Sequence, residues 1–293
     1  MSTCRMSVNV LLLVAAVTLA SPARAGTTLA GANTDFPDND LVMPFATTDS
    51  RSTFFSITNI GDGILRARWA FFDANGQKVD EVLRDIFGEG GTDIVDITAI
   101  ADRTIDGNGN FVLGPSRSLA GRNGFVIVYG DSQTRLLGNY TIANLSTNSG
   151  FGVNASGFGT IGTLAAGQGI VGTTFNPATL QDNLLVIIGL NVSPDLNSLT
   201  NGSAASGTVF NARIILLGND PNDAVIAETT VPVRGSALFT SLQALFPAQD
   251  LNGSASILVT AEGTGIIGYY GQAVGPFGAA QTLRAGVVPG TSS

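Results

Sequence analysis

The chain has 293 residues, 44% of them hydrophobic and 12% charged, with 22 acidic against 14 basic side chains. It has no His, and its single Cys is Cys4. It can therefore fill a core, but a Ser-His-Asp triad, a Cys-His nucleophile, a Cys/His zinc site and a c-type haem all need residues the mature chain lacks.

Residues 1–25 read as a secretory signal. Arg5 precedes an apolar run from Val8 to Ala20, and Ala23-Arg24-Ala25 supplies a small-x-small cleavage pattern. That run is about 13 residues, where a membrane span needs about 20. Cys4 lies before the run, where a lipoprotein cysteine would follow it. Cleavage near Ala25 predicts a protein of the cell exterior, cell surface or periplasm. Loss of Arg5 and Arg24 leaves 12 basic against 22 acidic residues, a net charge of −10. Lys78 is the only lysine. No Lys/Arg cluster offers a footprint for nucleic acid or an anionic membrane.

Beyond the signal, short apolar runs alternate with Gly, Asn, Asp and Pro. Strands are expected at 53–59, 64–72, 77–83, 123–129, 135–143, 183–190, 208–217, 224–231, 254–261 and 265–273. Asn75-Gly76 is a hairpin signal because both residues tolerate positive φ. Helical spacing occurs only at 238–246, with Leu238, Leu242, Leu245 and Phe246 near one face. The expected fold class is all-β, two tandem antiparallel sandwiches with at most one short helix.

The halves repeat one another. Ala67-Arg68-Trp69 matches Ala212-Arg213-Ile214, and Glu81 matches Glu228. Asn123-Gly124 matches Asn252-Gly253, and Leu136-Leu137-Gly138-Asn139-Tyr140 matches Ile266-Ile267-Gly268-Tyr269-Tyr270. This gives one sandwich over 26–160 and a second over 161–293. The Gly/Ser/Thr-rich stretch 147–173 joins them as a linker or as irregular edge strands.

The Thr-x-x-Ile-Thr-Asn segment, the strand after it, Phe72-Asp73-Ala74-Asn75-Gly76 and the later Asn-Gly strand resemble bacterial secreted immunoglobulin-like or fibronectin-III-like sandwich repeats. Leu245-Phe246-Pro247 and Leu251-Asn252-Gly253-Ser254 extend the resemblance. It covers about two thirds of the mature chain, and its motifs are structural. It implies an extracellular scaffold or surface module without catalytic residues. The core disulfide of antibody domains is absent, and the 84–120 segment is too long for a compact sandwich loop. Six N-x-[ST] sequons (Asn139, Asn144, Asn154, Asn191, Asn201, Asn252) arise readily by chance in so Asn/Ser/Thr-rich a chain.

Several residues are candidates for chemistry. Trp69 alternates with Arg66 and Arg68 and points inward, as core. Asp35, Asp38 and Asp40, then Asp102 and Asp106, then Asp220 and Asp223 read as turn residues, with a weak calcium site as the alternative. The four glutamates, Glu81, Glu89, Glu228 and Glu262, are scattered, and Lys78 adjoins a turn. The sequence thus assigns no catalytic, cofactor-binding or metal residue. It predicts a non-catalytic surface, matrix or adhesive protein that acts by binding an unknown protein or glycan. One alternative is a carbohydrate-binding module with exposed Phe72, Tyr129, Tyr140, Tyr269 and Tyr270. Another is a filament subunit that self-associates by strand addition along 183–190 or 265–273.

Overall fold

A computed structural model describes residues 40–287 apart from 49, 89, 98–100, 106–110, 116–118, 130–134, 158–167, 175–181, 191–208, 219–224, 235–236, 248–250, 252–253, 262 and 275–276. Nearly all of the described chain is antiparallel strand. The first half runs β1 (Asp40–Ala46), β2 (Arg51–Asn59), β3 (Leu65–Asp73), β4 (Lys78–Ile86), β5 (Gly91–Asp96), β6 (Ala101–Ile105), β7 (Phe111–Pro115), β8 (Asn123–Tyr129), β9 (Leu136–Asn144), β10 (Ser149–Asn154) and β11 (Ser156–Gly157). The second half runs β12 (Gln168–Thr173), β13 (Asp182–Leu190), β14 (Val209–Gly218), β15 (Val225–Arg234), β16 (Ala237–Thr240), the one-turn helix α1 (Leu242–Leu245), β17 (Ser254–Thr260), β18 (Gly265–Val274), β19 (Phe277–Thr282) and β20 (Arg284–Val287). The helix is shorter than its spacing predicts because Ala237–Thr240 pairs with β13 instead. Ser241 then caps the single turn, its Oγ accepting from the Ala244 N–H at 3.1 Å.

In the first half a sheet ordered β11-β1-β8-β3-β4 faces one ordered β10-β9-β2-β5. In the second, β20-β12-β17-β14-β15 faces β19-β18-β13-β16. With the β6–β7 hairpin set aside, substituting each strand by its counterpart in chain order turns the first pair of sheets into the second. Register agrees as well. Trp69 lies opposite Val82 and Val128, and Ile214 opposite Thr229 and Val259. Gly138 accepts a hydrogen bond from the Ala155 N–H, and Gly268 from the Leu283 N–H, both at 2.8 Å. A Cβ at Gly138 would strike Leu41, and one at Gly268 would strike Ile170, the counterpart residue of the facing sheet. The glycine of the repeated motif is therefore a close-packing position. Of the Gly-rich join, β12 is a paired interior strand, whereas β10 and β11 are edges.

Chain order departs from that of antibody domains, where strands A and B share one sheet and F and G share the other. Here β1 and β2 lie in opposite sheets, as do β8 and β9 and their counterparts.

The first core is aromatic. Phe55 meets Trp69 edge-on at 5.8 Å, and Phe45 meets Phe71 in the same way at 5.9 Å. The halves are not beads on a string, because the sheet holding β13 and β18 is buried on both faces. Leu185, Ile187, Ile266 and Tyr270 fill the second core, whereas Leu184, Val186, Ile188, Ile267 and Tyr269 join the first-half cluster. Polar contacts cross the same interface. The Tyr269 hydroxyl donates to the Val42 carbonyl at 2.8 Å, and Ala237 N–H to the Ala74 carbonyl at 2.9 Å. Arg51 Nη2 meets Asp182 Oδ1 at 2.5 Å, with side chains 13% and 9% exposed, and Asn144 donates to the other Asp182 oxygen at 3.1 Å. Gly271 and Gly278 permit this approach, since a Cβ would run into the Phe151 ring at the first and the Gly150 carbonyl at the second.

Candidate functional site

The structure takes most sequence candidates out of contention. Trp69 is fully buried, as expected. The aromatic row proposed as a sugar platform is corrected. Phe72, Tyr140, Tyr269 and Tyr270 are all buried. Phe72 stacks on Phe125 at 5.2 Å, and Tyr140 meets Tyr269 edge-on at 5.4 Å. Burial pushes the phenol pKa of Tyr140, Tyr269 and Tyr270 upward. Tyr129 is half-buried beneath the Arg68 guanidinium, 5.8 Å from its ring centre.

Strand addition along 183–190 or 265–273 is also corrected. β13 lies between β16 and β18, and β18 between β13 and β19, so neither is an edge. The edge strand β4 instead carries Lys78, Asp80, Glu81, Arg84 and Asp85, and the edge strand β15 carries Pro232, both of which discourage further pairing.

The charged candidates are engaged. Lys78 Nζ contacts Glu81 Oε2 at 2.6 Å, and Arg68 contacts Glu81 Oε1 at 3.0 Å. In the second half Arg213 pairs with Glu228 at 2.7 Å, the same Arg-to-Glu diagonal, and the hydrogen bond from Arg213 lowers the Glu228 pKa. Glu89, Glu262, Asp35, Asp38, Asp106, Asp220 and Asp223 lie outside the described residues. Asp40 opens β1 and Asp102 lies in β6. Among the described residues no three His, Cys, Asp or Glu side chains are placed to hold a metal, and no helix is long and apolar enough to cross a membrane.

What sequence reasoning missed is a polar cleft where β3, β4 and β5 meet. It has a volume of about 380 Å³ and is lined by Arg66, Leu83, Arg84, Asp85 and Asp93. Arg66 makes a two-pronged contact with Asp85 across the β3–β4 ladder, at 2.8 and 3.2 Å. Arg84 forks onto Asp93 of the opposite sheet, with Nη2 to Oδ1 at 2.8 Å. These hydrogen bonds raise both guanidinium pKa values above their ordinary range. Arg84–Asp93 spans the open side of the sandwich between the edge strands β4 and β5. The available signal was charge density: Lys78–Ile86 carries five charged residues and its counterpart Val225–Arg234 two.

Neither the protein-family models nor the curated proteins give a match to this chain.

Proposed function

We propose that this is a secreted, non-catalytic protein of the cell surface or matrix that acts by binding, on a scaffold of two immunoglobulin-like layered units spanning 26–160 and 161–293. One observation carries the reading: the described Lys and Glu side chains that could do acid–base work are held in ion pairs, within β4 for Lys78–Glu81 and across strands for Arg68–Glu81 and Arg213–Glu228. The absence of His, and of any Cys after position 4, supports it. The halves share a buried interface, and on layered scaffolds recognition belongs to loops and surface clefts. The reading calls for no cofactor.

Fractionation and assay test this together. The exported protein should start at Gly26 by intact mass and associate with the cell surface or matrix. It should hydrolyse nothing in a panel of glycosides, esters and peptides. Saturable turnover that disappears on replacing one or two Asp or Glu residues would overturn the reading.

A further inference from the structure

The duplication provides an internal control for function. Two copies of one fold begin alike, and positions that serve only the fold can stay alike. The Arg68–Glu81 diagonal is such a case, because Arg213–Glu228 repeats it. The cleft is the opposite case. By register, Arg66 and Asp85 correspond to Asn211 and Pro232, Leu83 and Arg84 to Thr230 and Val231, and Asp93 to Leu238. The second half closes the same side of its sandwich with Val231 and Leu238, which pack on its core. The fold therefore does not need four charges there. The β6–β7 hairpin, which has no counterpart among the described residues of the second half, packs β6 beside β4.

We propose that the cleft between Arg66–Asp85 and Arg84–Asp93 is a binding site for a neutral saccharide. Its volume lies within the range of small-ligand clefts, about 300–1,000 Å³. The ligand class follows from the charges. Among the described lining residues two guanidiniums are matched by two carboxylates, so no net charge draws in an anion or a cation. A polyol needs none. Each guanidinium spends two of its five N–H groups on its carboxylate, and paired sugar hydroxyls are acceptors of the kind the other three could serve. Leu83 offers an apolar surface to the C–H side of a sugar ring.

The inference rests on the binding reading above, but the two fail separately. Calorimetry or an array on the full mature chain would use neutral di- to tetrasaccharides of glucose, galactose, mannose, xylose and N-acetylglucosamine. Galacturonate oligomers, glycine and inorganic phosphate form the charged arms. At least one neutral saccharide should bind. The transplant R84V/D93L installs the residues that pack at these positions in the second half, so its melting temperature should stay close to wild type while affinity falls roughly tenfold or more. R66N/D85N should act likewise. Absence of saccharide binding, equal binding by both variants, or tighter binding of a charged probe would each overturn the site or its ligand class. The binding reading would survive those results, since it falls only on turnover or loss of surface association.

Discussion

Replacing Tyr269 asks whether the halves fold as one unit. Its ring is buried against Tyr140 in the first half, and its hydroxyl is bonded to the Val42 carbonyl. Tyr269→Phe removes only that bond and leaves a buried carbonyl without its donor, a cost of about 1–2 kcal/mol. Tyr269→Ala also opens a cavity, worth about 3–5 kcal/mol, and loses the edge-on ring contact, worth about 1 kcal/mol. The sum of about 5–8 kcal/mol rivals the whole stability of many domains. Trp69, the only tryptophan, lies in the first-half core, away from the substitution in sequence. Denaturant unfolding followed by Trp69 fluorescence and by far-UV circular dichroism therefore reads the two halves together. The shared interface predicts that both midpoints fall in step. A Trp69 transition left in place while a second transition moves would refute the coupling.

Asp182→Ala should cost about 3–5 kcal/mol, because it strands the mostly buried Arg51 guanidinium; urea titration measures it, and a cost near zero would show that water reaches the site. Stability should fall as pH rises above about 10. The folded state holds the Tyr140 and Tyr269 protons more tightly than the unfolded chain does, so their contribution is complete below the unfolded pKa and lost toward the raised folded one. Phenolate absorbance rising in step with loss of the folded signal would check this. Chelator should leave the melting temperature unchanged, whereas a site filled at 100 times its Kd would supply about 2.7 kcal/mol.

Strands bounded by turn residues were legible in the sequence. Asn123–Tyr129 begins and ends where its apolar run and Asn-Gly signal place it, and β2 and β3 are displaced by only one or two residues. Asp40–Ala46 was not legible. It contains Pro44, which argues against a strand inside a sheet, yet β11 reaches only Leu41 and Val42, so beyond them one side of β1 has no ladder to break. The run at 183–190 reads as an edge open to strand addition because it is apolar and carries few edge-blocking charges. Its uniform apolarity has another cause: both faces are buried, one by its own half and one by the other. Phe72 and Tyr269 misled in the same way, since the rule that alternate residues meet water fails where a second layer covers the sheet. The cleft could not be read from spacing, because Arg84 and Asp93 belong to edge strands of different sheets.

The two repeats also record which face each one hides. By register, Phe54, Ser56 and Thr58 of β2 correspond to Leu184, Val186 and Ile188 of β13. Leu137 and Asn139 of β9 correspond to Ile267 and Tyr269 of β18. The first-half face stays open, with Phe54, Leu137 and Asn139 exposed. It tolerates hydroxyls and an amide that the second-half face could not bury without partners. In the second half every one of those positions is apolar or, as at Tyr269, carries a single polar atom with a named acceptor. The fold is common to both copies, and the pattern of polar substitution on one sheet face decides which copy carries the interface.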